Sequence, residues 1–495
     1  MTDGALPRST PEAQGVSSET LGLLLSELDE RLDSVHGLVL VRHGHVVAEA
    51  GWAPYAVDRP HSMYSVSKSF TATAVGFAVA EGLLSVDDRL IDLFPESAPA
   101  DPDARVRELR VRHLLTMTTG HADDTMGAIL ADGSGDGVGA ILADGSGDGV
   151  GAILADGSGD GVGAFLAIPL AADPGTLFVY NTGASYVLSA LVQRLGGVRL
   201  LDYLTPRLLE PLGIAGARWE QDARGVDMGG FGLTITTRDI AAFGELFLRR
   251  GMFGGRRLLS EDWIAAATAP LVPSAGGTPD WQQGYGYQMW TSVHGYRGDG
   301  AFGQFCLVLP DDDAVVAITG SLPDMQKPLD ILWAHRGALF GGSALPQNPD
   351  AAAALAETAA RLEVRAPASA VDIPAPLEGA RFLLDGGPEE AVAVFADPQG
   401  TALAFTVGGV DHRIVVGADR WVPGVTDLAP ELGTPIAARG GWADASTFRA
   451  RVVGGDDPHG VDHELVVDGD RLVFTSRELV SFEPVVTRRV AGRRA

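Results

Sequence analysis

"MYSVSKSF", residues 63–70, places a lysine three residues after a serine, at the head of a long apolar run. Lys68 and Lys327 are the only lysines in a chain with 37 basic residues, so arginine supplies nearly every other cation. The distinction is chemical. A guanidinium keeps its proton in a protein, whereas an ammonium, with an ordinary pKa of about 10.4, can be driven toward neutrality by burial or by neighbouring charge. A lysine kept beside serines in such a chain points to a base.

The run that follows, "SKSFTATAVGFAVAEGLL", is apolar nearly all round. It predicts a buried helix that starts at about Ser65 and stops at Gly82. With Ser65 in the first turn, Lys68 projects from the same face, at a Cβ separation of about 5 to 6 Å. The positive end of the helix dipole favours a developing serine alkoxide and disfavours the lysine ammonium. Ser-x-x-Lys is the spacing of penicillin-binding proteins and class A β-lactamases, and it calls for a second polar element and a glycine-bearing strand. "FVYNTGASYVLSALV" offers Tyr180, whose phenol could share a proton with Lys68. "YRGDGAFGQFCLVLP" offers a strand whose small residues let a substrate backbone approach.

Working outward, "GLVLVRHGHVVAEAGW" predicts two strands joined by a tight turn at His43-Gly44. Helices are expected in "RELRVRHLLTMTTG", "YVLSALVQRLGG" and "TRDIAAFGELFLRRG", and strands in "GYGYQMW" and "QFCLVLPDDDAVVAITG". Strands at both ends of a helical middle indicate an α+β architecture, an antiparallel sheet flanked by helices. This first domain is expected to span 1–345. Residues 346–376 combine one Ala-rich helical stretch with Pro-rich flanks, which is linker chemistry. From 377 to 495 the chain turns into short β segments, with Asp468-Gly469 a strong hairpin signal, and predicts a small all-β barrel or sandwich.

"GAILADGSGDGV" occurs three times without change, at 127–138, 139–150 and 151–162. Asp132, Ser134, Asp136 and Gly137 resemble the first half of a calcium loop, but the twelfth position holds Ala143 where a bidentate Glu is needed. A Gly-rich insertion from in-frame duplication fits better than a calcium-dependent adhesion module. His43, His45 and His61 are explained by a turn and a loop, so no metal and no cofactor is expected.

The 495 residues carry 46% hydrophobic and 20% charged side chains, a globular composition. The net charge of −27 repels phosphate backbones and anionic bilayers, so nucleic acid and membrane are not expected partners. The single cysteine, Cys306, excludes an internal disulfide. No signal-like start and no long apolar span is visible, so a cytoplasmic location is expected.

Taken together, "LVRHGHVVAE", "YSVSKSF", "HLLTMTTGH", "PGTLFVYNTGASYVLSALV", "PLGI", "GGFGLTITTRDIAAFG", "GYGYQMW" and "RGDGAFGQ" resemble the class C β-lactamase and D-alanyl-D-alanine carboxypeptidase superfamily of serine hydrolases, which includes β-lactamase-fold esterases. The resemblance covers about residues 10 to 340, and the β tail is similar to a lipocalin-like domain appended to many members. It implies Ser65 as acylated nucleophile, Lys68 as its base and Tyr180 as proton relay. It also implies the backbone N–H groups of Ser65 and Ala301 as oxyanion hole, and Gly298, Asp299 and Gly300 at the Lys-Thr-Gly triplet. Two departures follow. Thr182 stands where the Tyr-x-Asn asparagine belongs, with Asn181 one place early, and the triplet has lost its cation. Recognition of a carboxylate is thereby disfavoured, and a small ester or amide substrate is expected, handled by an esterase or amidase more than by an efficient β-lactamase. A non-hydrolytic, penicillin-binding-like sensor on the same fold, acylated once and not released, is the alternative.

Overall fold

The computed structural model describes residues 6–127, 160–274, 276–428, 433–482 and 484–495. The twelve-residue repeats, with Asp132, Ser134, Asp136, Gly137 and Ala143, lie outside the described residues apart from their two ends.

A six-stranded sheet organises the first part of the chain. Its spatial order is His45–Gly51, Val35–Arg42, Ala314–Gly320, Gln304–Leu309, Tyr296–Gly300 and Trp290–Thr291, with every neighbour antiparallel. The expected hairpin closes at His43 and Gly44, both left-handed at φ 49 and 76, the twist that two-residue β-turns require. Three central strands are buried along their whole length, which explains their near-continuous apolar sequences. Alternate residues serve opposite faces. Leu38, Leu40, Phe305, Leu307 and Val316 pack with the helices Ser18–Arg31 and Gln326–Leu339. Val39, Val41, Cys306, Val308 and Val315 pack toward Thr237–Leu248 and the helical subdomain beyond it.

The helix predicted from "SKSF" spans Val66–Ala80 and is buried continuously from Val66 to Ala78. Its Phe70 stacks on Phe243 at 4.0 Å between ring centroids. It ends as expected: Gly82 adopts φ 72, and the Leu83 N–H returns to the Ala78 carbonyl at 2.9 Å. "YVLSALVQRLGG" belongs to Thr182–Gly196, while "RELRVRHLLTMTTG" begins at the last residue of the helix Ala104–Arg107 and supplies only the short helix Val111–Leu115.

"GYGYQMW" departs from expectation, because only Trp290 joins the sheet. Gln288 breaks the alternation. Its backbone is left-handed at φ 56, and its buried carboxamide donates to the Leu114 and Leu115 carbonyls at 2.9 and 3.2 Å while accepting from Ser185 Oγ at 2.6 Å.

The Ala-rich helix Pro349–Arg361 packs Leu355 and Ala359 against the layer that contains Ser18–Arg31. Ten strands then run from Arg381 to Arg494, and a bridge from Gly417 to Arg439 closes nine of them into a barrel, with Val422–Thr426 alongside as the tenth. Its core is filled by Phe382, Leu403, Phe405, Trp442, Phe448 and Phe474. Among the described residues no helix is long and apolar enough to cross a membrane.

Candidate active site

Ser65 occupies the N-cap position of the buried helix, yet its side chain makes no capping bond. The hydroxyl is engaged with Lys68 Nζ at 2.9 Å. Lys68 is 1% exposed, and it also donates to the Gly230 carbonyl at 2.8 Å. Gly230 must be glycine for this carbonyl to arrive, since a Cβ there would lie 2.6 Å from Thr182 Cγ2 and 3.0 Å from the Thr182 carbonyl oxygen. Burial pulls the Lys68 pKa down to about 8, against the opposing fields of Asp124 and Asp299. Near neutral pH a sizeable fraction of the side chain is therefore free amine within reach of the serine proton.

Tyr180 completes the group. Its ring lies 4.8 Å from Lys68 Nζ, stacks on Trp290 at 5.6 Å and meets Tyr285 edge-on. Burial and the negative field of Asp299 push its phenol well above the ordinary tyrosine range, while interaction with the Ser65 hydroxyl works the other way. The opposite shifts divide the labour: the lysine can lose its proton near neutral pH, and the tyrosine keeps its own.

The strand Tyr296–Gly300 passes directly beside Ser65. A Cβ at Gly300 would lie 2.2 Å from the Met63 carbonyl oxygen and 3.1 Å from Ser65 N, so only glycine permits this approach. Gly298 is similarly close to Ser69 Oγ. Among the described residues neither the Ser65 nor the Ala301 backbone N–H donates to a backbone carbonyl.

Two sequence expectations change here. The cation missing from the triplet stands one residue earlier: Arg297 is fully buried and its Nε donates to Asp299 Oδ2 at 3.0 Å. Its Nη1 reaches Ser292 Oγ at 2.6 Å and the Asp280 carbonyl at 2.9 Å, and its guanidinium covers the Trp281 ring at 4.2 Å. Asp299 is thus half of a buried ion pair facing Lys68 and Tyr180, its pKa raised by desolvation and lowered by Arg297. Asn181, expected near the substrate, is fully buried. Its Oδ1 accepts from Thr125 Oγ1 at 2.8 Å and from the Thr125 and Ala184 N–H groups, so it caps the helix Thr182–Gly196 and does not reach the cleft. Thr182 is half-buried, and its N–H donates to Asp124 Oδ1 at 2.8 Å.

Sequence reasoning missed Asp124 and Arg297. Asp124 is an exposed carboxylate that fixes Thr182 and Gly183 and places negative charge near both Lys68 and Tyr180. Arg297 lay within the quoted "RGDG", where one-residue spacing to Asp299 on a strand gave its only signal.

A family model for Beta-lactamase matches residues 27–338. The chain belongs to the beta-lactamase family. It is 26% identical over 330 residues to a 6-aminohexanoate-dimer hydrolase of Paenarthrobacter ureafaciens, covering 64% of this chain and 80% of that protein. It is also 26% identical over 230 residues to a lovastatin esterase of Penicillium rubens, covering 41% of this chain and 53% of that protein. The solved structure of EstCE1, described as a hydrolase with promiscuous acyltransferase activity, superposes with a TM-score of 0.50 at 19% identity, covering 66% of this chain and 99% of EstCE1. These beta-lactamase-family relatives include hydrolases of both amide and ester type.

Proposed function

We propose that this protein hydrolyses a small ester or amide through an acyl-enzyme on Ser65. The observation that carries the reading is the 2.9 Å contact between Ser65 Oγ and a wholly buried Lys68 whose pKa is brought to about 8. The free amine of Lys68 accepts the serine proton as Oγ attacks the substrate carbonyl, and the Ser65 and Ala301 N–H groups receive the carbonyl oxygen as it becomes anionic. Tyr180 passes a proton to the leaving alcohol or amine and regains one from the Lys68 ammonium beside it, which restores the free amine; water then attacks the acyl carbon, its proton returns to Ser65 Oγ, and the acid is released.

Arg297 bears on the charge of the substrate. Arg297, the strand-borne cation of this site, is buried and ion-paired with Asp299, and Asp124 adds a second carboxylate. A free carboxylate on the substrate gains no partner there, which favours an uncharged ester or amide over a penicillin or a D-alanine terminus.

The test is hydrolysis of p-nitrophenyl butyrate, with nitrocefin in parallel, by wild type, Ser65→Ala and Lys68→Arg. Ser65-dependent ester turnover, lost in the arginine variant and weak or absent for nitrocefin, is the expected result. Retained turnover in Ser65→Ala would remove the assignment.

A further inference from the structure

The barrel reaches the catalytic residues. Its loop between Thr447–Gly454 and Gly460–Asp468 brings the Asp456 carbonyl to the Ser62 N–H at 2.7 Å and Asp457 Oδ2 to the Tyr64 hydroxyl at 3.4 Å. The Tyr55 hydroxyl donates to the Asp457 carbonyl at 3.2 Å, and Arg218 pairs with Asp456 at 2.7 Å. The loop is itself shaped by an Asp457 side chain accepting from the His459 N–H at 2.8 Å.

Two of the first-domain residues that meet the barrel are unusual in their backbone. Tyr64 immediately precedes Ser65, and Phe302 immediately follows Ala301. Each is a non-glycine residue in the left-handed region, at φ 45 and φ 63. Such backbone persists only where the surroundings over-determine it. Their rings meet edge-on at 5.5 Å. From the barrel side, Phe482 lies 5.9 Å from Tyr64 and 4.8 Å from Phe302, and His459 lies 6.2 and 5.3 Å from the same two rings. Four rings from two domains therefore form one cluster, and its two strained members flank the two N–H donors set out for the oxyanion.

We infer that the barrel is a working part of the active site: His459 and Phe482 are positioning residues that hold Tyr64 and Phe302, and through them the Ser65 and Ala301 N–H groups, in the geometry an oxyanion needs. The inference rests on the reading of Ser65 as nucleophile. The two donors sit on segments distant in sequence, Ser65 at the N-cap of the helix Val66–Ala80 and Ala301 directly after the strand Tyr296–Gly300. The aromatic cluster joins the side chains of the residues next to both donors. Loosening it misplaces donors that act on the developing oxyanion, so the transition state loses more than the ground state.

The experiment uses the full chain carrying His459→Ala and Phe482→Ala together, assayed with p-nitrophenyl butyrate and with butylboronic acid, whose tetrahedral serine adduct directs an oxygen at the same two donors. The expected result is a fall in kcat of about 10- to 100-fold with KM within about twofold. The boronate inhibition constant should rise by a similar factor, and Phe482→Leu should restore most of the loss. A folded double variant with wild-type kcat and boronate affinity, or with a change in KM alone, would overturn the proposal. If the double variant does not fold, Phe482→Ala alone decides in the same way, since Phe482 is 45% exposed and its truncation leaves no sealed cavity. Ser65→Ala is assayed beside it. A dead Ser65→Ala with an unaffected double variant rejects the barrel's role alone, whereas activity surviving in Ser65→Ala rejects both readings.

Discussion

If Lys68 is the base, the rate of acylation must follow the fraction of its side chain that is free amine. Burial sets the Lys68 pKa at about 8 against an ordinary value of 10.5. With that value the free fraction is about 1% at pH 6, about 10% at pH 7, about half at pH 8 and above 90% at pH 9. An unshifted lysine would offer only about 0.03% at pH 7, so burial supplies roughly a 300-fold gain in competent enzyme. The perturbation that probes this is Asp124→Asn. It deletes a carboxylate that favours the ammonium, while the amide oxygen can still accept the Thr182 N–H. Asp124 is exposed and its field is well screened, so about 0.7 kcal/mol, equivalent to about half a pH unit, is a reasonable magnitude. The assay is kcat/KM for p-nitrophenyl butyrate from pH 6 to 9.5 in both proteins. Wild type should rise about tenfold per pH unit below its midpoint and level off above about 8.5. In Asp124→Asn the same curve should be displaced to lower pH. A wild-type rate independent of pH across this range, a midpoint near 10.5, or a variant displaced to higher pH would each refute the reasoning.

Three further outcomes follow from named contacts. Gly300→Ala forces a methyl group toward the Met63 carbonyl and Ser65 N, and should lower kcat by about 10- to 100-fold with the circular dichroism spectrum unchanged. Arg297→Met strands Asp299 in the interior and should cost about 3 to 5 kcal/mol in urea unfolding, while Arg297→Met with Asp299→Asn should recover much of that loss. His36 and His61 are buried and hydrogen-bonded to each other at 2.9 Å, with both pKa values lowered by desolvation. The unfolded chain takes up their protons first as pH falls below about 6.5, so stability should drop there by up to about 1.4 kcal/mol per pH unit for each histidine. Replacing His36 by Phe should flatten that slope, as read from urea midpoints between pH 5 and 7.

The parts of the site that could be read from the chain are those built from local spacing. Ser65 and Lys68 are three residues apart on one helix, so period and residue type were enough to bring them together. Tyr180 and the Gly298–Gly300 triplet came through the family resemblance, because nothing local ties either to the helix. The Arg297–Asp299 pair was hidden for a different reason: residues two apart on a strand share a face, but which face is buried depends on the neighbouring strands. Asn181 was misplaced because its amide stays in the turn as a helix cap, an outcome decided by the Thr125 partner 56 residues earlier. "GYGYQMW" alternates like a strand, and Gln288 overrides that pattern through hydrogen bonds to a segment more than 170 residues away. The contact between barrel and nucleophile joins Tyr64 to Asp457 and Phe482, and no sequence period signals a pairing across two domains.

The most direct measurement is rapid acid quench of the full-length protein with p-nitrophenyl butyrate, followed by mass analysis of its peptides. One butyryl group on the peptide containing Ser65, formed at the rate of p-nitrophenol release and absent in Ser65→Ala, is the expected result. Unmodified Ser65 during turnover, or a butyryl group confined to another residue, would contradict it.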